Sequence, residues 1–330
     1  MTRPPDFNGA NALITGGAGF IGSHIADQLL SAGASRVTVV DDFVRGRREN
    51  LSHAAASGRL RVVEGDIRDP ELVLRLTAGC DFVFHQAALR ITQCAEEPRR
   101  ATEVMIGGTQ NVLDAAVQCG VKKVLAASSA SVYGEPSYLP MDEAHPFNNR
   151  TLYGAAKISN EQIMRAYAEM YGLRYVMLRP FNIYGPRMDV FGVYTEVMIR
   201  WLERLREGRS PVIFGDGTQT MDFLYVEDLA RAYLLAAAAE DVTDEVFNAG
   251  SGIETSLREL CSKLCAAAGR PGETPVFEAP RKVNPVTRRL ASTDLAERRL
   301  GFRAQTSLDD GLARLVAWRS GISDLEPALA

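Results

Sequence analysis

The feature that most restricts how this chain can fold is the segment NALITGGAGFIGSHIADQLLSAGASRVTVVDD, from Asn11 to Asp42. Asn11 to Thr15 reads as a short apolar strand. Gly16, Gly19 and Gly22 follow at three-residue spacing, and the amphipathic stretch from Phe20 to Ser31 predicts a helix. Val37 to Val40 predicts a second strand, ending in Asp41. Strand, glycine turn, helix, strand and acid in this order suit a dinucleotide. The glycines let backbone approach a pyrophosphate, the helix N-terminus faces the phosphates, and the acid receives ribose hydroxyls. The plain alternative is a tight turn with no ligand; the flanking strands and the acid at the right distance weigh against it. Asp41 would repel a 2′-phosphate and so favours NAD, while Arg45, Arg47 and Arg48 nearby work against that preference.

A second constellation lies in NRTLYGAAKISNEQ, where Tyr153 and Lys157 stand four residues apart. On a helix this spacing places both side chains on one face, about 40° apart around the axis. An ammonium beside a phenol favours the phenolate and lowers the tyrosine pKa. Bringing a tyrosine from about 10 to about 7 requires roughly 4 kcal/mol of differential stabilisation. One lysine seldom supplies that, so a second positive charge is expected. The oxidised nicotinamide of a dinucleotide held by the glycine turn would provide it. Taken alone, such a pair is more often solvated than functional; the glycine turn and Ser129 change that balance.

Strands and helices alternate through the first half. LRVVEGD predicts a strand ending at Asp66, CDFVFHQAA one ending at Ala88, KKVLAASS a third, and RYVMLRPFN a fourth. A long helical pattern covers Pro98 to Cys119 and another carries Tyr153 and Lys157. Short buried strands separated by such helices imply an α/β, doubly wound parallel sheet, whose ligands bind at the carboxyl ends of the strands. Gly16, Asp41, Asp66, Ala88, Ser129 and Asn182 all fall there. Beyond NIYGPR the rhythm changes to shorter strands with helices at Val193 to Glu207 and Ser256 to Ala268. The expected division is a dinucleotide-binding domain over 1–184, joined by segments near 222–250, and a smaller α/β substrate-binding domain over 185–330, interleaved with the first.

Composition excludes several classes. With 330 residues and a net charge of −4, and without a long basic run, the chain has no nucleic-acid signature. No stretch approaches the length of a membrane span, and MTRPPDFNGA lacks the apolar core of a signal peptide, so a cytoplasmic location is expected. The five cysteines, Cys80, Cys94, Cys119, Cys261 and Cys265, form no zinc-like pattern with the four histidines, and no metal is expected. Cys261 and Cys265 lie one helical turn apart and read as small core residues.

With these residues assembled, the chain resembles the extended short-chain dehydrogenase/reductase family, and most of all its NAD-dependent nucleotide-sugar epimerases of the UDP-galactose 4-epimerase type. The resemblance runs from Asn11 to Trp318 and rests on TGGAGFIG, GDIRD, HQAA, SSASVYG, YGAAK, LRPFNIYGPR and GDGTQTMDFLYVEDLA. It implies a Rossmann-type sheet with a small C-terminal substrate domain and a tightly held NAD. Gly16, Gly19 and Gly22 would line the pyrophosphate, with Phe20 and Ile21 giving backbone at the helix start. Asp41 would take the adenosine ribose, Asp66 and Ile67 would flank the adenine, and Ala87 and Ala88 would pass beneath the cofactor, with Pro180 also on its side. Tyr153 matches the family's base and Lys157 its supporting lysine. Ser129 matches the hydroxyl that meets the sugar's 4-hydroxyl, with Ser131 as its neighbour. Asn182, Arg90, Arg187, Arg288 and Arg289 are assigned to the nucleotide-sugar. The implied reaction removes a hydride from carbon 4, turns the 4-keto sugar, and returns the hydride to its other face. A homodimer paired through the helices at Pro98 to Cys119 and Tyr153 to Tyr171 is also implied, with Met164, Ala168 and Tyr171 available for core or interface.

Three departures matter. Related 4,6-dehydratases of nucleoside-diphosphate sugars carry an Asp-Glu pair just before Val-Tyr-Gly, and UDP-glucuronate decarboxylases a Glu; this chain has Ala130 and Ser131 there. That favours epimerisation over both. Met221 stands where the family commonly has a diphosphate-binding arginine, so another cation must replace it: Arg187, Arg281, Lys282, Arg288 or Arg289, of which Arg288 or Arg289 fits best by position. Gly192 stands near where many epimerases use an asparagine. The expected substrate is a UDP-hexose, with UDP-glucuronate second, since the strip Ser128, Ser129 and Ser131 with Arg187 would receive a sugar carboxylate. A non-catalytic NAD-binding regulatory or scaffold protein is the alternative from another class; such proteins usually lose the tyrosine or lysine, and both stand here.

Overall fold

The computed structural model describes residues 5–190, 196–279 and 287–321. Gly192, Arg281 and Lys282 therefore lie outside the described residues. Seven strands form one parallel sheet: β1 (Asn11–Thr15), β2 (Arg36–Asp41), β3 (Leu60–Glu64), β4 (Phe82–His85), β5 (Lys123–Ala127), β6 (Tyr175–Pro180) and β10 (Glu245–Ala249). Their order across the sheet is β10-β6-β5-β4-β1-β2-β3. β1 pairs with both β2 and β4, and the chain crosses back over it between β3 and β4. A crevice opens at the carboxyl ends of strands where such a reversal occurs. Gly16 and Ala87 follow the two strands that flank it.

The strands are apolar on both faces because helices cover both. Ile25 and Leu29 of the helix Phe20–Ser31, with Leu229 and Tyr233 of the helix Val226–Ala238, pack on one side against Ile14, Val39 and Phe247. Val73, Val112, Leu113 and Met164 cover the other side against Leu13, Val83 and Met177. Met164 is thus fully buried in this core, while Met170 and Tyr171 at the end of the helix Leu152–Tyr171 are exposed. Smaller elements build a third core. β9 (Thr220–Tyr225) runs antiparallel to β11 (Glu254–Ser256) and parallel to β7 (Asn182–Tyr184), and β8 (Val212–Phe214) pairs with β12 (Val276–Glu278). Trp201, Tyr184, Leu260, Cys261 and Cys265 fill that core. Among the described residues no helix is long and apolar enough to cross a membrane. Among the same residues no group of three or more His, Cys, Asp or Glu side chains is placed to hold a metal ion.

One element differs from its sequence pattern. The run from Pro98 to Cys119 predicts a single helix, but the structure divides it into Pro98–Thr102, a π-helical turn Glu103–Gly108 and Thr109–Gln118. At this wide turn the Met105 carbonyl accepts from the Thr109 hydroxyl (2.7 Å) and the Asn160 amide (2.9 Å). A single π turn inside a longer helical run is too short for apolar spacing to reveal.

Lys123 closes the opposite end of the sheet. Its buried ammonium donates to the carbonyls of Ala236 (3.0 Å) and Ala239 (2.6 Å), capping the helix Val226–Ala238. Lys123→Met should lower stability by roughly 1–3 kcal/mol, the cost of carbonyls left unpaired, read as a fall in urea midpoint at unchanged slope. A parent-like midpoint would refute this role.

Candidate functional site

The residues singled out from the sequence line one cavity of ≈ 3010 Å³ at the carboxyl edge of the large sheet. At one end the glycine turn makes a cradle with no room for side chains. Gly16 has φ +67°, and a Cβ there would lie 2.7 Å from the Ala87 backbone. A Cβ on Gly22 would lie 2.5 Å from the Gly16 carbonyl. Gly19 caps the helix Phe20–Ser31 without a side chain to offer, so the first-turn N–H groups of Phe20, Ile21 and Gly22 face the cavity as an anion site. Asp41 closes the far side of the turn, accepting from the N–H groups of Ala18 (2.9 Å) and Phe43 (3.0 Å). Burial raises its pKa, with those N–H groups opposing the rise. Asp66 lies beyond: burial pushes it up, but the hydrogen bonds and charge of Arg68 outweigh this and leave the carboxyl below its usual range. Ile67 is buried beside it. A bare turn would need none of this clearance, so the cradle fits a dinucleotide.

Tyr153 and Lys157 share the buried face of the helix Leu152–Tyr171, with the Lys157 ammonium 5.8 Å from the Tyr153 ring centroid. Lys157 donates to the Ala127 carbonyl at 2.6 Å. Ser129 lies beside Tyr153, and its hydroxyl accepts from the Ser131 N–H at 3.1 Å. The expected fall in the tyrosine pKa is not what the protein alone produces. Burial raises Tyr153, and the Ser129 hydrogen bond only opposes that rise. Burial also lowers Lys157 to about 8, against the negative character of Cys94 and Glu161. Desolvation penalises both charged forms, and one lysine does not overcome it.

The arginines separate by environment. Arg288 is exposed and held in two hydrogen bonds by Glu254, at 2.7 and 2.8 Å. Arg289 turns inward. Its Nε is buried without a hydrogen-bond partner, and burial disfavours its charge, eased only in part by Glu135. Its backbone N–H donates to the Thr220 carbonyl at 3.0 Å, which sets it beside Met221. Arg187, at φ +69°, pairs with Asp27 on the glycine helix at 2.6 Å. Arg90 reaches Asp189 at 3.2 Å, and Arg45 meets the same carboxylate at 3.0 Å. Asn182 donates to the Asp222 carbonyl at 3.0 Å, and Ala88 and Pro180 complete the wall.

Ser128 does not join the polar strip. It is buried, and its hydroxyl donates to Glu161 behind the strand. Other residues had no sequence signal as a group. Thr15, His85 and Thr109 form a buried chain, 2.7 Å from the Thr15 hydroxyl to His85 Nδ1 and 2.9 Å from His85 Nε2 to Thr109. Thr109 spends its proton on Met105, so His85 Nε2 carries a proton and Nδ1 accepts. Burial, then Lys157, lowers His85 to about 3, so it stays neutral. Gln86, inside the quoted HQAA, has both amide atoms buried without partners. Glu161 did carry a signal, standing four residues past Lys157 on the same face.

Residues 12–250 match the family described as NAD dependent epimerase/dehydratase. A UDP-glucose 4-epimerase from Mycolicibacterium smegmatis is 38% identical over 92% of this chain and 96% of its own. A dTDP-glucose 4,6-dehydratase from an Actinoplanes species is 35% identical over 93% of this chain and 96% of its own. Among solved structures, a UDP-glucose 4-epimerase from Thermotoga maritima with UDP-glucose superposes with a TM-score of 0.87 at 36% identity, over 94% of this chain and 98% of that one.

The cradle yields a direct expectation. Gly16→Ala places a methyl group against the Ala87 backbone at a left-handed φ, so the turn must open. NAD affinity, titrated by fluorescence, should fall by at least about tenfold, the equivalent of roughly 1.4 kcal/mol. Unchanged affinity would show that the cofactor does not approach this turn.

Proposed function

The chain belongs to the NAD dependent epimerase/dehydratase family, and we propose that it is an NAD-dependent UDP-hexose 4-epimerase. The observation that carries this reading is the turn beside Tyr153. Family members that go on to eliminate or decarboxylate resemble one another in placing carboxylates before Val-Tyr-Gly, and here Ala130 and Ser131 occupy those positions. Ala130 is buried against Val132 and Tyr133, and Glu135, the nearest acid in the following sequence, accepts from Thr287 at 3.0 Å. No group in this turn would act at carbon 5 or 6.

In this reading Tyr153 takes the proton of the sugar 4-hydroxyl and later returns it, while Ser129 orients that hydroxyl. Lys157 supports the phenolate and holds the cofactor ribose. Bound NAD supplies the hydride acceptor at carbon 4 and the hydride that returns. The glycine cradle, Asp41 and Asp66 would hold it. Arg289 takes over the diphosphate contact that Met221 cannot make, because its buried guanidinium lacks an anion whereas Arg288 already has one. The sugar is neutral in this reading. Arg187 is paired with Asp27 through Nη2, with Nη1 alone unpartnered, and Arg90 with Asp189, so a hexuronate carboxylate would meet arginines that already hold an acid. A homodimer through the helix Leu152–Tyr171, with the exposed Met170 and Tyr171 at its edge, accompanies this reading.

Incubation with UDP-glucose, UDP-N-acetylglucosamine and UDP-glucuronate, followed by proton NMR, tests the assignment. The expected product is the 4-epimer of UDP-glucose or its N-acetyl analogue, with no carbon dioxide and no stable 4-keto sugar; either of those products overturns it. Tyr153→Phe should lower kcat by about 10²- to 10⁴-fold while NAD stays bound, as expected for loss of a general base. Arg289→Met should raise KM by about tenfold to a hundredfold, since a charged hydrogen bond contributes about 1.5–3 kcal/mol. Arg288→Met should leave KM alone, and the reverse ranking would exchange their roles.

A further inference from the structure

Behind the cavity lies an ion pair that the reaction as described does not use. Glu161 and Arg179 are both 4% exposed. Arg179 donates to the carboxylate through Nε (2.9 Å) and Nη2 (2.7 Å), and through Nη1 to the Tyr133 hydroxyl (2.7 Å) and the Glu143 carbonyl (3.0 Å). Tyr133 passes its own proton to Asn248 at 2.6 Å. Stability does not by itself explain such a pair, because desolvating two charges offsets most of their attraction and apolar replacements are often as stable.

Its placement offers a reason. Tyr153, Lys157 and Glu161 follow one another at four-residue intervals on one helix face. Two of them bond consecutive residues at the end of β5, Lys157 the Ala127 carbonyl and Glu161 the Ser128 hydroxyl, and Tyr153 lies beside Ser129, the next in line. Glu161 therefore grips the strand one residue from the Ser129 hydroxyl and one helical turn from the Lys157 ammonium. We propose that Glu161, clamped by Arg179, is a positioning residue that fixes the register of this strand end against the helix and supports the charge of Lys157. The inference rests on the reading of Tyr153, Lys157 and Ser129 as the reacting groups.

Cys94 and Glu161 are the groups that oppose the burial of Lys157, and of the two only Glu161 also grips the strand end. His85 faces the lysine from β4 and is neutral, Cys94 from the helix Ile91–Glu96 is a buried thiol with a raised pKa, and Tyr153 is protonated at rest. Of these groups Glu161 alone is a carboxylate, and it is the one tied to the strand end that carries Ser129. It opposes the burial that brings Lys157 down to about 8. The sign follows: without Glu161 the ammonium loses its proton at lower pH, and an unpaired Arg179 pushes in the same direction.

Glu161→Gln in the holoenzyme keeps the shape and removes the charge. The expected result is a kcat lowered by about tenfold to a hundredfold, the scale of a small misplacement of reacting groups, with KM unchanged. The alkaline limb of the kcat–pH profile should move to lower pH. NAD affinity, titrated by fluorescence, should likewise begin to weaken at lower pH than in the parent. The double variant Glu161→Met/Arg179→Met separates positioning from folding. It should melt no lower than the parent yet keep the lowered kcat, with an alkaline limb between those of the parent and Glu161→Gln. A folded Glu161→Gln with parental kcat and pH profile overturns the inference, as does a double variant with parental kcat. Should Tyr153→Phe itself stay active, the underlying reading fails; if it is inactive while Glu161→Gln behaves as the parent, only this inference does.

Discussion

Burial is the constraint on which the rest of this structure depends. The helix Leu152–Tyr171 carries a phenol and an ammonium into a wall from which water is largely displaced, and desolvation resists charging either group. A tyrosine so placed is a poor base and a lysine so placed is only partly charged near neutral pH. The protein supplies local counterweights: the Ala127 carbonyl, the Ser129 hydroxyl and the Glu161 carboxylate. These limit the loss without reversing it for Tyr153. In the proposed reading the remaining shift comes from the cation that arrives with the ligand. A base that is weak until the oxidised cofactor is present would be quiet in its absence.

The sheet makes that coupling possible by topology. β1 lies between β2 and β4, so the turn after β1 and the segment after β4 face each other across the crevice. Their backbones approach so closely that Gly16 admits no Cβ. β5 and β6 continue the same edge, and their ends carry Ser129 and Pro180. The glycine cradle and the helix Leu152–Tyr171 are thus neighbours because of strand order, although Gly16 and Tyr153 are far apart in sequence. The buried polar chain Thr15–His85–Thr109 ties β1, β4 and the helix behind them into one unit, with every proton assigned.

How much of this was legible in the sequence depends on the range of the interaction. The glycine spacing, the acid after β2 and the four-residue step from Tyr153 to Lys157 are local, and the fold and the cavity lining follow from them. The sign of the Tyr153 shift was not legible, because burial comes from strands and helices brought in from elsewhere. Ser128 reads like Ser129 in the string SSAS, yet its hydroxyl is spent on Glu161, which the helix Leu152–Tyr171 brings to it. Arg288 and Arg289 are adjacent and chemically identical; Glu254, on a different strand, takes one and leaves the other facing inward. The π turn at Glu103–Gly108 was hidden because one wide turn is too short to show in the spacing of apolar residues.

In the proposed reading, Arg289 takes over the task of a missing family residue. Met221 lies on β9, and the Thr220 carbonyl beside it accepts the Arg289 N–H. Asp222, the next residue, accepts from Ser251 (2.6 Å), Gly252 (2.9 Å) and Ala291 (3.2 Å), pinning the backbone on both sides of the cavity wall. A cation delivered from the 287–289 segment is therefore held against the same strand that would otherwise have presented one. What recognition of an anion requires is a guanidinium at a place, and the backbone bonds of β9 fix the place. The residue that carries it can change as long as those bonds remain.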